Sequence, residues 1–233
     1  MKKLLIAMCI ALASMVSNAQ TQDTTTTAAV SADTSKFKCD QLVKDMAMWE
    51  VLSKLSEDSM PKAIKDSALY KLNVGGELEA KYVLESGKKH SISDLKKATI
   101  DFLNLNFALS SRALSKLQKS EGNSLYLKAS ITPIAEIFHS ALSHGEVNAD
   151  IIFHMSIQET KVTLTMTIPG YWYMASYLKM TKSVKDCPPY NPYGESRLGS
   201  KFNALYQKAY VNSCSKILNY ANQYVLYLNE VVK

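Results

Sequence analysis

Two runs that alternate between apolar and polar side chains, separated by three polar residues, constrain this chain more than any other feature. Ile151, Phe153, Met155 and Ile157 alternate with Ile152, His154, Ser156 and Gln158; after Glu159-Thr160-Lys161, Val162, Leu164, Met166 and Ile168 alternate with Thr163, Thr165 and Thr167. A period of two sends successive side chains to opposite faces of a strand, so each run has one face made for a core. The short gap predicts an antiparallel hairpin. Its register is fixed by burial, because a slip of one residue would turn every apolar side chain outward.

The same period recurs in Leu78, Ala80, Tyr82 and Leu84, behind a Gly75-Gly76 pair that can take the positive φ of a tight turn and a preceding strand over Tyr70 to Val74. Elsewhere the period lengthens. From Cys39 to Leu55 the spacing of Leu42, Met46, Trp49 and Leu52 predicts a helix with those four side chains on its buried face, ended by the polar stretch around Pro61. Ser91, with Asp94 three residues on, opens a helix that presents Ile92, Leu95, Thr99 and Phe102 and reaches about Phe107. Between Ala113 and Ile131 the pattern fits either helix then strand or two strands around a turn, and Gly122-Asn123 favours the turn. Pro133 to Glu146 reads as a polar, His-bearing insertion, and Asp186 to Gly199, with three prolines, as a loop. Ser200 to Val232 lacks Gly and Pro and strings Phe202, Leu205, Ala209, Ile217, Tyr220, Tyr224 and Leu228 along one stripe. It predicts one long helix. Its tyrosines, with Tyr206, Tyr210 and Tyr227 alongside, predict a core seam whose phenol ends reach water.

The start of the chain carries an address. Lys2 and Lys3 precede the apolar run Leu4 to Val16, which closes on Ser17-Asn18-Ala19, the pattern of a secretory signal peptide cleaved after Ala19. The run is too short to span a membrane, and Cys9 lies inside it, where it is no site for a lipid. Gln20 to Ser35, rich in Thr, Ala and Ser, predicts a disordered tether. Residues 36–233 are then expected to form a single domain, exported to the periplasm or beyond the cell. Removing the leader takes Lys2 and Lys3 with it and lowers the formal charge from +6 to +4. Lysines are scattered, and Arg after the leader is limited to Arg112 and Arg197, which argues against nucleic acid as a partner.

The strand ELEAKYVLE leading into the helix SISDLKKATIDFLNLNF, the strand pair ALSKLQKSEGNSLYLKASI, and the closing hairpin ADIIFHMSIQETKVTLTMTI together resemble a domain-of-unknown-function family of exported proteins from Bacteroides-like bacteria. The resemblance covers under half of the exported chain, about residues 68–170, and implies a fold like that of the TATA-binding protein. It implies no catalytic residues, and a fold shared with a DNA-binding protein does not imply DNA binding.

No catalytic signature stands out. Glu136, His139, His144 and Asp150 supply atoms suited to zinc or iron, but at spacings that match no zinc signature and with no second ExxH element. No cofactor is expected. Gly194 to Gly199 has a serine between glycines without the preceding strand that a hydrolase elbow needs. Of the three cysteines after the leader, Cys187 and Cys214 are the first choice for a disulfide, pinning the Pro-rich loop to the helix, with Cys39 as the alternative partner for either. Thr163, Thr165 and Thr167 form a hydroxyl row on an open strand face. Thr24 and Ser59, each after Asp in a segment read as exposed, are similar to O-glycan acceptors of Bacteroides-like bacteria, with Ser67 a third match.

These readings converge on an α+β protein: an antiparallel sheet with helices packed on one face, flanked by an N-terminal helix and a long C-terminal helix. The expected function is a non-catalytic binding module for an unknown small molecule, glycan or envelope protein. A hydrolase acting on envelope or dietary polymers, with a site assembled from Glu136, His139, His154 and Asp150, is one alternative, and an envelope structural protein is another.

Overall fold

The computed structural model describes residues 35–67, 69–140, 143–175, 178–191 and 200–232. The expected leader, Thr24 and the Gly194 to Gly199 segment lie outside the described residues.

Helix α1, Asp40–Leu52, buries Leu42, Asp45 and Leu52. Met46 was expected on that face and is 41% exposed instead. Asp45 takes the inner place because donors meet it there: Gln41 Nε2 donates to its Oδ1 at 2.7 Å and the Tyr82 hydroxyl to its Oδ2 at 3.0 Å. The polar stretch expected only to end this helix carries a second one, α2, Met60–Ser67, with Pro61 in its first turn, where a missing N–H breaks no intrahelical bond.

Strand β1 is Lys71–Leu72 and β2 is Leu78–Glu85. Gly76, at φ 80°, makes the turn between them. Leu78, Ala80, Tyr82 and Leu84 are buried, as the alternation requires. Helix α3, Ile92–Phe107, starts at Ser91, whose Oγ accepts from the Asp94 N–H at 3.4 Å, and stops at Ala108 in the left-handed region. Helix α4, Ser111–Gln118, capped by Ser110, overturns the expectation of two strands around Gly122-Asn123. Helix is followed by strand.

Strands β3, Ser124–Ser140, and β4, Ser143–Gln158, pair along almost their full lengths. The described residues of the insertion expected from Pro133 to Glu146 therefore belong to the distal half of a two-stranded ribbon. Alternation is hidden there by a register shift between Ile131 and Ala135, which buries Ile134 and Ala135 in succession. Strand β5, Lys161–Ile168, returns through the Glu159-Thr160 turn in the expected register, with Phe153 opposite Met166 and Met155 opposite Leu164. Strands β6, Gly170–Ala175, and β7, Leu178–Ser183, form a further hairpin that local sequence does not mark, because the run Tyr171-Trp172-Tyr173-Met174 has no polar alternation. Gly170 is required at its base: a Cβ there would lie 2.0 Å from the Lys182 carbonyl oxygen. A short 3-10 turn, Val184–Asp186, follows, and helix α5, Ser200–Val231, ends the chain.

The strands form one sheet in the order β1-β2-β5-β4-β6-β7, with β3 on the other edge of β4. Because β6 follows β5 along the same edge of β4 after a break at Pro169, β5 pairs with β2 and β6 with β7. Phe153 on the inner face meets Phe107 of α3 at 5.2 Å and Tyr220 of α5 at 5.8 Å between ring centroids. Tyr224 meets Phe102 at 4.9 Å. The phenols expected to reach water are in part sealed in: Tyr206, Tyr210 and Tyr224 are buried, with the Tyr224 hydroxyl 2.6 Å from Thr99 Oγ1 and that of Tyr210 3.2 Å from Tyr190.

Candidate functional site

The helices pack against the face that carries Phe153 and Leu164, and among the described residues none of them covers the opposite face. Register places its side chains in rows across the strands. Lys81, Thr165, His154 and Tyr126 form one row, Val83, Thr163, Ser156 and Ser124 a second, and Glu79, Thr167, Ile152 and Lys128 a third. The threonines are half-buried by their neighbours, whereas His154 is exposed and Tyr126 is 59% exposed. A β-branched hydroxyl residue suits such a surface, since it favours strand geometry and keeps a polar group toward water.

Beyond the third row lies an organised cluster centred on Asp150. Ser130 Oγ donates to Asp150 Oδ1 at 2.8 Å and Trp172 Nε1 to the same oxygen at 3.3 Å. Lys128 Nζ is 2.9 Å and Lys179 Nζ 3.7 Å from Oδ2. Lys179 also stands over the Trp172 ring, 4.1 Å from its centroid. Burial alone would raise the Asp150 pKa, but the hydrogen bonds from Lys128 and Ser130 and the charges of Lys128 and Lys179 outweigh it and hold the carboxyl below its ordinary range. Two cations on one carboxylate make it a weak base. What the cluster offers to a ligand is an indole held in place and two partly exposed ammonium groups, with the Tyr126 phenol four strand residues from Ser130 on the same face.

The other residues singled out in the sequence do not gather around it. Asp150 and His154 share the open face, but four residues of strand separate them, roughly 13 Å. Glu136 lies level with Glu146, in the distal ribbon, and His144 opposite Phe138. The side chains of His139 and His144 are outside the described residues, and among the described residues no group of three or more potential metal ligands occurs. Glu136 borders a groove of about 360 Å³ between the ribbon and α5, where Lys208 Nζ donates to its carbonyl at 3.2 Å and Asn212 Nδ2 to that of Ile134 at 2.7 Å. Ser59 is exposed just before α2, its Oγ 2.9 Å from that of Ser56.

The Cys187 to Cys214 bond expected from the sequence is not formed in this structure. Cys39, Cys187 and Cys214 are free, buried thiols; burial pushes Cys187 up to about 12 and raises Cys39 and Cys214 as well. The turn after β7 is held by hydrogen bonds instead: Tyr190 N–H to Cys187 O at 3.0 Å, Lys65 Nζ to Pro189 O at 3.3 Å, and the Tyr190 and Tyr210 hydroxyls.

No sequence motif singles out Trp172, Lys179, Lys128, Ser130 or Tyr126 as site residues. Tyr126, Lys128 and Ser130 do alternate along β3 with the buried Leu125 and Leu127 and the half-buried Ala129, a period of two that the sequence itself carries. Trp172 and Lys179 join them only through the β6 and β7 hairpin.

The arrangement defines an α+β protein with an antiparallel sheet, helices on one face and a long C-terminal helix. No family model and no curated protein matches the sequence. Among solved structures the chain is similar to a TBP-like protein from Parabacteroides distasonis, at TM-score 0.42 and 8% identity over 64% of this chain and 93% of that one. It is also similar to a DUF4468 family protein from Bacteroides ovatus, at TM-score 0.38 and 8% identity over 66% and 88%. Likenesses this distant carry nothing about residues or activity. Among the described residues no helix is long and apolar enough to cross a membrane.

Proposed function

We propose that this protein is an exported, non-catalytic binding module that engages a polar ligand, a glycan or an envelope component, on the open face of its sheet. The observation that supports it is the indole of Trp172 held on Asp150, a carboxylate already neutralised by Lys128 and Lys179, with the exposed Tyr126 ring four strand residues away on the same face. An aromatic plane flanked by fixed hydrogen-bonding groups suits the apolar faces and hydroxyls of a sugar. The hydrolase alternative gains no support, because a general acid and base must reach one reacting bond and Asp150, His154 and Glu136 are strung along the ribbon. In this reading residues 1–19 are the leader, 20–35 a tether and 36–233 the working domain, and Thr24 and Ser59 carry O-glycans in the native host.

Titrating the chain from Gln20 onward with defined envelope and dietary oligosaccharides, read by tryptophan fluorescence and by native mass spectrometry, tests the reading. A saturable ligand lost in both Trp172→Ala and Tyr126→Ala supports it. Binding that both variants retain would place the site elsewhere. Intact mass of the exported product should begin at Gln20.

A further inference from the structure

Helix α1 is apolar on its outer side as well as its inner one. Val43 is 66% and Val51 63% exposed, Met46, Met48 and Leu55 are each more than two-fifths exposed, and Ala47 is exposed among them. So large an apolar share on the solvent side of one short helix marks an interaction surface. It lies apart from the open sheet face and does not depend on the function proposed above.

The order of residues along that side names the partner. Asp40, Val43, Ala47, Val51 and Lys54, the last in the turn that continues the helix, follow one line at spacings of three, four, four and three. The spacing is symmetric about Ala47, and so is the chemistry. If a second copy of the helix lies antiparallel across the first with the two Ala47 residues in contact, each Val43 is level with Val51 of the other copy. Each Asp40 is then level with Lys54 of the other copy, and each Lys44 with Glu50. A parallel arrangement would set Asp40 against Asp40 and Lys44 against Lys44. Small Ala47 lets the two backbones approach at the crossing. We infer that α1 is the interface of a two-fold homodimer, paired antiparallel about Ala47.

A two-fold contact is self-complementary, with the same patch on both subunits, and this patch meets that condition. Lys54 now pairs within its own helix, its Nζ 3.4 Å from Glu50 Oε1 with both side chains largely exposed, a surface pair that gives way at little cost. A helix of 13 residues is about 20 Å long, so the contact lies at the small end of specific interfaces and the dimer exchanges with monomer.

Sedimentation velocity on the chain from Gln20 onward, from low micromolar to near-millimolar protein, should show a monomer–dimer equilibrium. Asp40→Lys alone and Lys54→Asp alone should each weaken the dimer by tenfold or more, and the two together should restore it, a rescue that no general loss of stability produces. Mild oxidation should cross-link Ala47→Cys into a covalent dimer and leave Val43→Cys monomeric, since two Val43 residues lie eight residues out of level. A monomer at every concentration, a dimer indifferent to both charge changes, or equal cross-linking at the two positions would overturn the inference.

Discussion

Asn229 and Phe37, 192 positions apart, hold each other twice: the Phe37 N–H donates to Asn229 Oδ1 at 2.7 Å, and Asn229 Nδ2 donates to the Phe37 carbonyl at 3.0 Å. The side chain of α5 thus does for the N-terminal segment what a neighbouring strand would do. Just beyond it, Lys38 and Glu85 exchange backbone hydrogen bonds, and the Phe37 ring stacks on His90 at 5.0 Å. Asn229→Ala leaves a buried backbone pair without partners and should cost about 1–3 kcal/mol, read by urea unfolding. Amide exchange at Phe37 and Lys38 should quicken more than elsewhere. Unchanged exchange there would show that the segment is held by other contacts.

Asp45 predicts an unusual dependence on pH. Burial raises its pKa, against the lowering effect of the Gln41 and Tyr82 hydrogen bonds, while the unfolded residue ionises near 3.8. The folded state therefore keeps a proton that the unfolded state has released. The stability this gives is fully present below the unfolded value and is lost as the pH rises through the folded one. Asp45→Asn, with Gln41 turned to accept, should match the native chain in acid and exceed it at neutral pH. Asp150 has the opposite sign, since its pKa is lowered: its contribution is present above the unfolded value and is lost as the pH falls through the folded one. Thermal melts of both Asn variants across pH would separate them. Parallel curves for Asp45→Asn and the native chain would refute the first assignment.

Leu164 and Thr165 are neighbours on β5 with opposite surroundings. Leu164 is wholly buried between sheet and helices and Thr165 stands half-buried on the open face. Leu164→Asp should destabilise by several kcal/mol, the cost of a buried carboxylate with no partner. Thr165→Asp, with Lys81 opposite, should cost less than about 1 kcal/mol. Chemical denaturation of the pair decides it, and equal losses would contradict the register.

All three described thiols are buried, and the Cys187 pKa stands near 12. Only thiolate reacts, so the native chain from Gln20 onward should be inert to a thiol reagent at neutral pH for hours. Unfolding without a reductant should release three thiols. Release of a single thiol would establish a disulfide between two of them.

Much of this fold is legible because its strands are amphipathic. Where one face of a strand is sealed and the other is wet, as in β2, β4 and β5, the alternation itself records register and orientation. Helix α3 is equally plain, since Ser91 and its apolar period mark its start and its inner side. Legibility fails where tertiary neighbours rewrite local preference. Asp45 goes inward because Tyr82, 37 positions away, brings a hydroxyl to it, and nothing in the local period of α1 prefers it to Met46. The β3 bend hides its alternation behind a shift in register, and the aromatic run of β6 presents no polar beat.

The sequence by itself determined the inner and outer faces of the central hairpin, the capped start of α3 and the extent of α5, because each depends on side chains close together in the chain. The tertiary structure alone decided that Asp150 would be met by Lys128 and Ser130 from one side and by Trp172 and Lys179 from the other. Those partners lie 20 to 29 positions away on strands whose pairing is set by the whole sheet, and a carboxylate becomes the centre of a cluster only when such strands bring its donors within reach.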